Sequence, residues 1–127
     1  MRSSLILSGV ILLLLASCAP VTSFEDFVFS RDAVGGVYHF TLDLSDSTAV
    51  YDLYFYTAQE CGSIELRPLW TGPSGETFSE TVCMQGRQKE LYRSGFSMKN
   101  PGLWKLDVSV FSEPEDFRGL GVVCQER

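Results

Sequence analysis

The sequence has a single histidine, His39, in 127 residues, and no serine in a G-x-S-x-G setting. A hydrolase triad needs an imidazole beside its nucleophile, and zinc needs clustered Cys and His such as C-x2-C, so neither chemistry has a motif to rest on. Positive charge is also scarce, with 10 Lys and Arg against 16 Asp and Glu and a net charge of −6. No basic stripe is left to neutralise a phosphate backbone, which excludes nucleic acid from the expected partners. The acidic residues Asp43 and Asp46, and Glu113, Glu115 and Asp116, lack the D-x-D-x-D-G spacing of a calcium loop and read as solvated tips. The sequence therefore predicts no catalytic residue, metal or cofactor. Helical periodicity is missing too, since no apolar pattern of period 3.6 runs beyond two turns.

One long apolar run is present, and it lies at the amino terminus. After Arg2 the chain carries no charge through Val21, with Leu5 to Leu15 apolar apart from Ser8 and Gly9. A membrane-spanning helix needs about 20 apolar residues, so this block has the length of a secretory signal. It runs into Leu15-Ala16-Ser17-Cys18, which looks like the lipobox of bacterial lipoproteins. The expected organisation is a signal peptide over 1–17, cleavage after Leu15-Ala16-Ser17, diacylglycerol on Cys18, a lipidated leash over 18–23 and one domain over 24–127. Two or three acyl chains hold a protein firmly to a bilayer where one holds it only reversibly. Ala19, in place of an aspartate, points to the outer membrane. The late position of Glu25 and Asp26 favours a face toward the periplasm over the cell surface.

With Cys18 lipidated, Cys61, Cys83 and Cys124 remain, in a compartment that permits disulfides. A hairpin centred near Thr71-Gly72-Pro73-Ser74-Gly75 sets Cys61 nearly opposite Cys83, and that pair is the expected bridge.

The rest of the chain alternates with period two. Tyr38, Phe40, Leu42 and Leu44 interleave with His39, Thr41 and Asp43, and Trp104, Leu106, Val108 and Val110 with Lys105, Asp107 and Ser109, as strands with one buried face do. Further strands are expected near 24–30, 50–57, 63–70, 77–84 and 119–125. Pro68 marks an edge or a bulge, and Gln85 to Arg93, polar and mixed in charge, reads as a long connection. Seven to eight short strands bounded by turn residues predict an all-β fold, a single antiparallel β-sandwich of jelly-roll or immunoglobulin-like form. On this pattern Tyr38 and Trp104 face the core, and Trp70, beside a turn, is the exposed aromatic that a sugar ring could stack on.

The order of these signals resembles a known family. Val37 to Asp46, Tyr51 to Tyr56, Leu66 to Trp70 running into Gly72 to Phe78, Pro101 to Val108, and Arg118 to Val123 together resemble the small GldH-type lipoproteins of Bacteroidetes, named for gliding motility. The stretch Thr57-Ala58-Gln59-Glu60-Cys61 departs from that pattern, where an arginine is expected, and the middle of the chain is shorter. The resemblance implies a non-enzymatic accessory of gliding or its secretion machinery. Its partners are then the membrane, through the acyl chains on Cys18, and other envelope proteins. The alternative is an outer-membrane carbohydrate-binding module with a glycan as partner.

Overall fold

The computed structural model describes residues 21–127 apart from Arg87 and Ser112, so the expected signal peptide over 1–17, its expected cleavage motif and Cys18 lie outside the described residues. Among the described residues nine strands follow one another: β1 (Val21–Phe29), β2 (Val37–Leu44), β3 (Tyr51–Thr57), β4 (Ile64–Thr71), β5 (Thr77–Ser79), β6 (Val82–Met84), β7 (Glu90–Phe96), β8 (Gly102–Val110) and β9 (Gly119–Glu126). They pair antiparallel into two sheets, one ordered β1-β9-β3-β7 and the other β2-β8-β4-β5, with β6 also on β4. The fold is thus the all-β sandwich that the alternation indicates.

The inward rows make the core. Tyr38, Phe40, Leu42 and Leu44 of β2 are buried with Leu106 and Val108 of β8 and with Ile64 and Leu66 of β4. The other sheet supplies Tyr51, Leu53 and Phe55 of β3 and Leu120, Val122 and Cys124 of β9. Each large apolar side chain so enclosed stabilises the fold by about 1.5–3 kcal/mol relative to its exposed form. Strand β9 departs from alternation because it is interior to its sheet and covered on both faces, with Gly119 through Cys124 all buried.

Several expectations change. Strand β1 begins at Val21, which pairs with Glu126, so the strand takes in three residues, Val21 to Ser23, expected in the leash. The segment 85–93 is not one long connection, because Glu90–Phe96 forms an edge strand on β3. Its inward Tyr92 and Phe96 are separated by polar Arg93 and Ser94 and by Gly95 at φ +63°, which hides the period-two pattern.

Pro68 lies in a strand interior to its sheet, where its effect is to split the partner. The Glu80 amide donates to the Pro68 carbonyl over 3.3 Å, but proline has no N–H to return. The neighbouring segment accordingly divides into β5, which pairs with Leu69–Thr71, and β6, which pairs with Ile64–Leu66.

The expected Cys61–Cys83 bridge is absent, and Cys61, Cys83 and Cys124 are all free thiols. The hairpin turns about Ser74, so Cys83 stands opposite Glu65 on the exposed face. Cys61 is buried in the loop before β4, beside Gly86. A turn centre displaced by two residues moves the partner by four.

Candidate functional site: an aromatic cleft between two strand edges

Along one side of the sandwich the sheets end in β5 and β7, and neither strand has a partner on its outer side among the described residues. Between them opens a cleft of about 320 Å3 lined by Trp70, Phe78, Arg93, Phe96, Met98 and Trp104. Parity explains the lining. The inward residues of β4 are the even ones, Ile64, Leu66, Pro68 and Trp70, so Trp70 points between the sheets. It is 6% exposed, and the expected open aromatic is instead the floor of the cleft. Its cross-strand neighbour Phe78 shares that face but lies beyond the core, and is 49% exposed. Trp104, expected in the core, is half-buried at the mouth, whereas Tyr38 is fully enclosed.

A chain of polar groups holds this wall in place across the two sheets. The Trp70 indole N–H donates to the Tyr92 hydroxyl over 3.1 Å, and that hydroxyl donates to the Glu80 carboxylate. Arg93 donates to the same carboxylate at 2.6 Å, with its guanidinium 5.4 Å from the Phe78 ring centre. Burial, and then the bond to Glu80, push the Tyr92 phenol pKa above its ordinary value. The Tyr92 ring stacks on Trp70 at 11° and lies 4.8 Å from Phe55, so the chain is tied to the core. Trp104 in turn donates to the Asn100 carbonyl over 3.0 Å. With both indoles and the arginine already bonded, the cleft presents aromatic carbon and little unpaired polarity.

The other residues singled out by sequence have structural work. His39 is exposed and faces its cross-strand partner Asp107 at 2.6 Å. Asp43 accepts from the Ser45 amide and Asp46 from the Thr48 amide and hydroxyl, so both fix the turn between β2 and β3. Glu113 accepts from the Tyr38 hydroxyl over 3.3 Å. Among the described residues no group of three or more His, Cys, Asp or Glu is placed to hold a metal ion. Phe78, Arg93 and Phe96 were not singled out by the sequence, although parity against Trp70 across the hairpin was a signal that could have found Phe78.

No family model matches this chain, and no curated protein does. Among solved structures, a carbohydrate-binding module, CBM36, in complex with calcium and xylotriose is similar over 86% of this chain and 98% of that chain, with 10% identity and a TM-score of 0.39.

Proposed function

We propose that this chain is a lipid-anchored, non-catalytic envelope protein that holds an extended segment of a partner protein in the cleft between β5 and β7. The observation that carries the reading is an apolar, aromatic-lined cleft bounded by two unpaired strand edges. An extended peptide can bond its main chain to such an edge and turn alternate side chains into the groove. A sugar fits this lining poorly, because its hydroxyls lose water there without gaining partners. The protein reading is therefore favoured over the glycan reading for this site.

The anchor supports the same picture. Val21, Glu126, Tyr51 and Phe96 form one cross-strand row, so the start of β1 and the Phe96 wall of the cleft belong to one end of the sandwich. Three residue steps separate Cys18 from Val21, a reach of about 10 Å. A lipidated Cys18 thus holds the cleft end close to the bilayer, where segments of neighbouring envelope proteins emerge. In this reading the protein is an accessory of gliding or its secretion machinery at the outer membrane, facing the periplasm.

A photo-cross-linking residue placed at Phe78 in intact cells tests the proposal, with position 41 on the far face as control. Adducts to an envelope protein from 78 and not from 41 are expected, and no protein adduct at 78 overturns the reading. Cys18→Ala is expected to release the protein from membranes and abolish palmitate labelling, and retained labelling overturns the anchor.

A further inference from the structure

The outer face of the β1-β9-β3-β7 sheet carries a second feature, separate from the cleft and independent of its function. In one cross-strand row Phe27 of β1 and Tyr56 of β3 flank Gly121 of β9. A Cβ on Gly121 would lie 2.1 Å from the Tyr56 Cζ, and one on Gly119 would lie 2.7 Å from the Phe27 Cζ. Each ring therefore rests on a glycine, made possible by the missing side chain. The two ring centres are 5.7 Å apart with their planes 31° from each other. Neither ring is fully covered.

Beside Tyr56 lies a concavity of about 410 Å3, with Val123 in its floor and Thr22, Glu25, Gln88, Lys89 and Gln125 around it. That volume is in the range of small-ligand sites. Its chemistry differs from the cleft's in the respect that matters for recognition. Glu25 accepts hydrogen bonds, Lys89 donates them, and Thr22, Gln88 and Gln125 do both. The Lys89 ammonium is 4.3 Å from the centre of the Tyr54 ring, which keeps it over this face. Beneath the concavity β9 and β3 are paired on both sides and β1 is paired with β9, so on this sheet face a ligand is read by side chains.

An extended saccharide chain matches this combination. A β-1,4-linked pyranose ribbon offers flat C–H faces to rings laid along a surface, and hydroxyls along its margin that both donate and accept. A peptide strand would need a free edge, and a fatty chain would leave the polar rim unpaired. We infer that the Phe27–Tyr56 face, with its rim of Glu25, Gln88, Lys89 and Gln125, is a binding site for an extended β-1,4-linked saccharide.

Chitohexaose and cellohexaose, with α-linked maltohexaose as control, are titrated against the full processed protein in detergent micelles. Saturable binding of a β-linked hexamer and none of maltohexaose is expected. Lys89→Ala and Gln125→Ala leave both rings in place and are expected to weaken binding by roughly tenfold each, the equivalent of one lost hydrogen bond of about 1.4 kcal/mol. Both variants should keep the unfolding midpoint of the parent. Phe78→Ala, in the cleft, is expected to leave saccharide affinity unchanged, so this site and the peptide cleft succeed or fail separately. If neither hexamer binds at millimolar concentration while Tyr56→Ala lowers the unfolding midpoint, the rings serve only to cover the glycine backbone and the inference is overturned. Undiminished binding in the Lys89, Gln125 and Tyr56 variants overturns it equally.

Discussion

Removing one oxygen atom tests the polar chain that braces the cleft. Tyr92→Phe keeps the ring against Phe55 and Trp70 but deletes the hydroxyl that accepts from the Trp70 indole and donates to Glu80. Glu80 retains Arg93 and is partly solvated, so its loss is small. The Trp70 donor is different, since its residue is 6% exposed and its N–H is left without this acceptor. A buried unsatisfied donor costs about 1–3 kcal/mol, so the expected destabilisation is about 2 kcal/mol. For a domain of this size that corresponds to a fall in melting temperature of roughly 8–16 °C. Urea unfolding followed by tryptophan fluorescence reads the change as a lower midpoint at unchanged slope. The decisive comparison is the same substitution in a Trp70→Phe background, where no indole N–H remains to be orphaned. Tyr92→Phe should then cost less by at least about 0.5 kcal/mol. Equal costs in both backgrounds, or a single-variant effect below about 0.5 kcal/mol, refute the argument that this bond braces the wall. The hydroxyl also sets an alkaline limb. Its folded pKa lies above the unfolded value near 10, so its contribution is intact below pH 10 and is lost as the pH rises from there through the folded value. Tyr92→Phe should shorten that limb.

Asp52 accepts from Arg127 through both carboxylate oxygens at 3.0 Å and from the Gly95 amide at 2.8 Å, and its pKa is lowered chiefly by Arg127. Its stabilisation is present above the unfolded pKa near 4 and is lost as the pH falls through the lower folded value, so Asp52→Asn should flatten the acid limb of a stability profile. Native protein exposed to a maleimide should label at Cys83 and not at Cys61 or Cys124, which react only after denaturation; mass spectrometry of peptides reads this directly, and a native Cys61–Cys83 linkage contradicts it. Gly121→Ala drives a methyl into the Tyr56 ring and is expected to destabilise by about 1–3 kcal/mol. Most of that cost should vanish in a Tyr56→Ala background, and an undiminished cost there sinks the packing argument.

The strands that sequence locates well are those with one wet face. Each outward residue of β2 and β8 is polar or charged save Val37 at the start of β2 and Leu103 at the start of β8, so period two is visible and the core rows Tyr38–Leu44 and Leu106–Val108 can be named from sequence. β7 escapes because it is an edge, where the chain must present polar groups on the face that would otherwise announce the strand. The split of β5 from β6 escapes for a different reason. It is caused by Pro68 in another strand, and a proline read along its own segment tells only that one N–H is missing, not which neighbour will miss it. The hairpin shows how sharply register depends on such detail, since placing its centre on Gly72 in place of Ser74 pairs Cys83 with Cys61 where the chain pairs it with Glu65.

The two candidate sites were less legible than the core because each is made between strands distant in sequence. Trp70 read alone, next to a turn, looks open; read by the parity of Ile64, Leu66 and Pro68 it must face inward, and then the exposed ring has to be its partner on β5. The outer platform is harder still. Gly119-Leu120-Gly121-Val122-Val123 looks like a run with too little side chain to bury on its second face, yet the structure buries that face by leaning Phe27 and Tyr56 onto it. Glycine in a central strand is weak by itself, so alternate glycines there are informative only as the complement of rings supplied from both neighbours. That order of dependence gives the inference its direction: the glycines fix where the rings lie, the rings fix a flat apolar patch, and the polar rim beside it decides which ligand the patch can hold.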